Sequence, residues 1–205
     1  MWPIFHKFGS PPWLYSISGA ILRWLLPITL LALITGAIWG LLFTPPENVQ
    51  GNSYRIIYIH VPAAVVALAG YYVMALAGAV SLIWRMKMAD VAMKAAAPVV
   101  ALYEAFDNKE AAGKACAVLS LVGMVNIPII YKSVDWWYSL HQGASIKFTG
   151  ETSIHSSMLY PLLLMIAAFY ALFTCALLLN IRAELVQREQ RTQWVRKLID
   201  KNVVN

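Results

Sequence analysis

Charge is scarce in this chain. Only 13% of its 205 residues are Asp, Glu, Lys or Arg, and 60% are hydrophobic. A soluble domain of this size carries about twice that charged fraction, so the composition excludes a water-soluble globular protein. Cysteine is scarcer still: Cys116 and Cys175 both lie in apolar runs and form no CxxC pair, which reads as two small buried hydrophobes and not as a disulfide or metal framework. There are four histidines, no GxxxxGK[ST] loop for nucleotide phosphates and no nucleophile–base set. Met1–Pro12 has His6, Lys7 and three prolines but no apolar core, so no cleavable signal peptide is expected there.

What the chain has in quantity is apolar length. Trp24–Phe43, Val61–Trp84, Ala115–Tyr131 and Met158–Ile181 approach or exceed the roughly 20 residues needed to cross a bilayer as a helix. The fold class is therefore all-α, a polytopic membrane helix bundle, in one integral membrane domain over 1–205. Ala95–Phe106 (AAAPVVALYEAF) is apolar but too short to cross. The first span carries GAIWG, with Gly36 and Gly40 at the spacing that lets helices approach closely. Pro27 and Pro128 fall inside spans, where kinks are expected. The net charge of +6 would point to nucleic acid in a soluble chain; here no nucleic-acid partner is expected. Thirteen of the sixteen Lys and Arg lie outside loops 44–60 and 132–157, which hold only Arg55, Lys132 and Lys147. By the positive-inside rule both termini are cytoplasmic and those two loops face outward, towards the periplasm of a bacterium. Residues 182–205 read as a basic cytoplasmic tail, lying on the membrane surface or docking a cytoplasmic partner.

Three histidines belong to the outward side. His60 sits in GNSYRIIYIHVPAA, where Asn52 or Ser53 offers a helix N-cap. From His60 to Trp84 is about 36 Å at 1.5 Å per residue, more than the roughly 30 Å hydrocarbon core, so His60 stands at the interface. Pro62 removes a backbone donor and loosens the helix there. His141 follows Trp136, Trp137 and Tyr138 in SVDWWYSLHQGASI, and Arg55 lies further out along the His60 helix. Two readings fit. Histidines and tryptophans at a membrane interface need no ligand. Zinc would want further donors, and only Glu47, Asp135 and Glu151 are near. Two imidazoles, flat aromatics and an arginine suit haem better, an apolar disc carrying two propionates.

These strings, together with PPWLYSISGAILRWLLP, RMKMADVAMKAAAPV and ALYEAFDNKEAAGKA, resemble the haem exporter protein C family, CcmC, of bacterial cytochrome c maturation system I. The resemblance implies a subunit of the bacterial inner membrane that holds haem b non-covalently and transiently at the periplasmic face. It implies delivery to the haem chaperone CcmE, beside the ABC transporter subunits CcmA and CcmB and the small membrane protein CcmD. His60 and His141 match the positions of the family's haem-ligating pair; Arg55 is a candidate propionate partner, and Trp136, Trp137 and Tyr138 would line the haem edge or anchor the loop. His155 receives no such role. The chain would not itself be an enzyme, ATP hydrolysis coming from a partner. Alternatives of other classes are a haem-containing membrane oxidoreductase, whose ligands would sit within the spans, and a cofactor-free permease.

One departure is large. The family has six spans, with a tryptophan-rich loop between the third and fourth, and nothing like it occurs between Pro98 and Tyr103. Ala95–Phe106 resembles the start of one span fused to the end of another, so about forty residues, a central hairpin of two spans, are expected to be absent near 98–103. Either the chain has a true internal deletion or the 205 residues are part of a longer polypeptide. An intact mass near 22.8 kDa would establish the deletion.

Overall fold

The structure is a computed structural model describing residues 10–47, 50–96, 107–136 and 154–203. The expected join at 98–103 lies outside the described residues. Six α-helices follow in order: α1 (Pro11–Ile38), α2 (Ile57–Trp84), α3 (Lys87–Ala95), α4 (Lys109–Trp136), α5 (Ser156–Arg188) and α6 (Gln193–Val203). A π-type turn, Trp39–Phe43, prolongs α1, and a 3-10 turn, Ser53–Ile56, leads into α2. Among the described residues four helical segments are long and apolar enough to cross a membrane: Pro11–Phe43, Ser53–Trp84, Glu110–Ile129 and Ser156–Arg188. All four anticipated spans are therefore present. All four helices overrun their apolar runs by a turn or more, because propagation continues into polar sequence once a helix is nucleated.

The crossing helices stand in a row. α1 packs on α5, α5 on α2, and α2 on α4, leaving α1 and α4 at the two edges. Alternating direction sets two ends. Pro11, Trp84, Lys109 and Arg188 mark one; Phe43, Ile57, Trp136 and Ser156 mark the other. Much of the outer surface is Leu, Ile, Val and Trp, Leu31 and Val122 being 68% and 61% exposed. That pattern is what an apolar solvent permits.

Small residues set the close contacts. A Cβ on Gly36 would lie 2.6 Å from Met165 Sδ, and one on Gly40 would lie 2.7 Å from the Tyr58 ring. Gly36 and Gly40 therefore let α1 meet α5 and the entry to α2 with almost no gap. Each of Pro27, Pro62, Pro128 and Pro161 lies within a continuous helix, as neighbours allow in a packed bundle. Asn52 makes no side-chain cap; the 3-10 turn instead begins with Arg55 N–H donating to the Asn52 carbonyl at 3.2 Å. Cys116 and Cys175 are buried and form no disulfide.

The charged segment after α2 is more than a connection. Arg85 takes the left-handed conformation (φ 51°) and ends α2, the reversal that commonly closes helices. α3 then lies against α2 and α5, burying Val91, Met93 and Ala95. Its polar side meets α5: Lys94 Nζ stands 3.0 Å from Glu184, and Arg188 binds both Glu184 and Asp90, the latter at 2.6 Å. The tail also differs from a single surface helix. Residues 182–188 continue α5, a turn intervenes, and α6 folds back, burying Val195 and setting Trp194 against Tyr15 at 5.6 Å between centroids. Arg182 covers the other part of that layer, 3.7 Å above the Tyr15 ring.

Candidate functional site

At the His60 end the loop from α1 to α2 is drawn tightly onto α2. Thr44 Oγ1 donates to the Gly40 carbonyl at 2.7 Å and terminates the π-type turn. Glu47 and Gly51 exchange backbone hydrogen bonds at 3.1 and 2.9 Å, with Gly51 at φ +59°. Arg55 Nη2 then donates to the Thr44 carbonyl at 2.7 Å, and Tyr54 Oη to the Pro45 carbonyl at 2.8 Å. Tyr54 and Tyr58, one helical turn apart, meet edge to face at 6.1 Å and pack with Leu162 and Met165 of α5.

Arg55 thus has a structural duty that its sequence position did not reveal. One arm of the guanidinium holds the loop; its Nε is buried with no hydrogen-bond partner among the described residues, as is the Tyr58 hydroxyl. Both atoms are buried on neighbouring turns of the same helical segment, where an unpaired buried polar group costs on the order of 1–3 kcal/mol. Tyr54, Tyr58 and Thr44 were not singled out from the sequence, although the Tyr54/Tyr58 spacing of four in SYRIIY is the signal of a shared helix face.

His60 lies in the first turn of α2 on its exposed face, beside exposed Ile56 and Ile59. Its imidazole has no hydrogen bond or ion pair among the described residues, and the structure makes no bond between it and Arg55. His155 behaves differently. It caps α5, its Nδ1 lying 2.9 Å from Ser157 Oγ and accepting from Ser157 N–H at 3.3 Å. Trp136 closes α4 at this same end. Trp137, Tyr138 and His141 lie outside the described residues, within the stretch 137–153 that links α4 to α5. Among the described residues no group of three or more His, Cys, Asp or Glu is placed to hold a metal ion.

The sequence was compared with known proteins. The family model described as Heme exporter protein C matches residues 4–101 and again 99–196. "Heme exporter protein C" of Escherichia coli K12 is 36% identical over 242 residues, covering 97% of this chain and 98% of its own length. Its namesake in Haemophilus influenzae is 33% identical over 241 residues, at 97% and 98% coverage. That of Bradyrhizobium diazoefficiens is 33% identical over 227 residues, at 90% and 86%. The alignments also carry a gap. Since 97% of 205 residues is about 199, some 43 of the 242 positions aligned with the Escherichia coli protein have no counterpart here. The two family matches meet at residues 99–101, at the join where a central hairpin was expected to be absent. With nearly its whole length matched, this chain belongs to the Heme exporter protein C family.

Proposed function

We propose that this chain is the haem-holding membrane subunit of a cytochrome c maturation complex, with haem as its cargo. His60 is one axial ligand and His141 the other. The observation that carries the reading is the state of His60: an exposed imidazole without an internal partner at a helix end, in a chain of the haem exporter family. A neutral imidazole with both nitrogens free is a ready ligand for haem iron. His141 is five residues beyond Trp136, so it can stand at most about 18 Å from the end of α4, which packs against the His60 helix. Only one Arg55 donor is spent on the Thr44 carbonyl, which leaves further guanidinium N–H groups for a propionate, a charge-assisted bond. The Tyr58 hydroxyl, one turn along the same helix, is also buried without a hydrogen-bond partner among the described residues. Trp136, Trp137 and Tyr138 supply flat surface at the ring edge.

The charge asymmetry of the loops supports an orientation with both termini cytoplasmic and the His60 end periplasmic, in the bacterial inner membrane. The ligands then sit where cargo enters and leaves, and this favours transfer over a fixed electron-carrying haem buried between spans. The work of the subunit is binding, orientation and release to CcmE. ATP hydrolysis belongs to the ATPase partner CcmA, beside the membrane subunit CcmB and the small protein CcmD. Haem b is held without a covalent bond.

Absorption spectra of the purified protein loaded with haem, wild type beside His60→Ala and His141→Ala, test the reading. A Soret band that is lost or shifted in both variants is expected. An unchanged band in both would overturn the ligand assignment, and a wild type that takes up no haem would favour the permease.

A further inference from the structure

The apolar runs of α1 and α5 stop at nearly one level. The two helices are antiparallel neighbours: Gly36 meets Met165, Thr29 Oγ1 stands 3.8 Å from Cys175 Sγ, and Gly19 meets Arg182. By that register Trp24, where the run of α1 begins, and Ile181, where that of α5 ends, lie within about a turn of each other. The first charged residues beyond the hydrocarbon on these two helices are Arg23 and Arg182.

Gly19 makes room between them. A Cβ there would lie 2.5 Å from Arg182 Nη1 and 3.2 Å from Cζ, so this guanidinium rests against bare backbone of α1. One Arg182 N–H donates to the Tyr15 carbonyl, and the Tyr15 ring lies beneath the guanidinium. Its other donors have no partner among the described residues. Arg23, one turn beyond Gly19, is exposed and makes no hydrogen bond or ion pair among them. Helical side chains lean towards the N-terminus of their own helix. Arg23 therefore leans out of the hydrocarbon over the Gly19 turn, while Arg182, near the end of α5, leans back towards it.

No carboxylate answers either arginine. No Asp or Glu precedes Glu47 in the chain. On α5, Glu184 is bound to Lys94 and Arg188, and Glu189 beyond it reaches Trp194. Two guanidinium groups without a counter-charge suit a phosphate, whose oxygens accept forked N–H donors. The surface beside Arg23 says what carries that phosphate. Leu26, Leu30 and Ile34 follow it at i+3, i+7 and i+11 on one face, 39%, 49% and 58% exposed, which makes a track for an acyl chain. A free phosphate would leave that track unused.

We infer that Arg23 and Arg182, around Gly19, hold the phosphate of an acidic phospholipid whose chain lies along Leu26, Leu30 and Ile34. The two positive charges favour a headgroup with no cation of its own. The site is at the opposite end of the bundle from His60 and requires only that the helices cross a membrane, so it stands or falls apart from haem binding.

The delipidated chain, free of haem, is titrated with phosphatidylglycerol or phosphatidylcholine of matched acyl chains, and retained lipid is counted by native mass spectrometry. One phosphatidylglycerol should be retained at least about fivefold better than phosphatidylcholine. Arg23→Gln removes no contact within the described residues and should weaken retention about fivefold. Gly19→Ala, which puts a methyl group where the Arg182 guanidinium rests, should weaken it too. Arg196→Gln, on the exposed side of α6, should leave it unchanged. Equal retention of the two lipids, or undiminished retention in Arg23→Gln, would overturn the inference. Displacement of the lipid by millimolar inorganic phosphate would also overturn it, because the site would then belong to the free anion.

Discussion

Removing Glu184 should cost this protein far more than removing any exposed carboxylate. Glu184 is buried between Lys94 of α3 and Arg188 of its own helix; the Lys94 and Glu184 side chains are 12% and 9% exposed. Glu184→Ala leaves two cations facing one remaining carboxylate, Asp90, which already binds Arg188. Breaking a buried pair by deleting one partner costs about 3 kcal/mol or more. The Glu110–Lys114 pair is the internal control: at 2.8 Å it is equally short, yet its side chains are 78% and 64% exposed. There Glu110→Ala should cost little, because solvent screens the pair. The difference comes from desolvation and not from distance. Both variants can be titrated with SDS in mixed micelles, following tryptophan fluorescence. If the two fall within about 0.5 kcal/mol of each other, the α3–α5 charge cluster is no clamp and the reasoning fails.

Other outcomes follow from the His60 end. Gly40→Ala pushes a methyl group into the Tyr58 ring and should destabilise by about 1–3 kcal/mol in the same titration; the double variant with Tyr58→Ala should recover part of the loss. Tyr58→Phe removes a buried hydroxyl with no hydrogen-bond partner among the described residues, so stability should hold or rise slightly while haem affinity falls. A fall in stability with unchanged haem uptake would assign that hydroxyl a structural partner. His155→Ala should lose about 0.5–1 kcal/mol of capping, restored by His155→Asn, with the Soret spectrum unchanged; a changed spectrum would bring His155 into the haem site.

Local physics made much of this legible. The four crossing segments follow from apolar runs measured against bilayer thickness, and each is a property of contiguous sequence. The interruption near 98–103 was visible for the same reason: Ala95–Phe106 is too apolar for a connection and too short for a crossing, and the family matches meet within it. His60 could be put at a helix end by counting rise per residue. Arg55 was read by charge alone, so its bond to the Thr44 carbonyl, eleven residues away, went unseen.

By itself the sequence determined how many segments can cross, where they begin, and which residue types gather at which end, because hydropathy and charge act position by position. Only the tertiary structure decided the order of the row, the docking of α3 through Lys94 and Glu184, the fit of Gly40 against Tyr58, and the open side of α4. Those depend on the shape and pairing of side chains far apart in the chain, where one methyl group or one buried charge outweighs any average over neighbours.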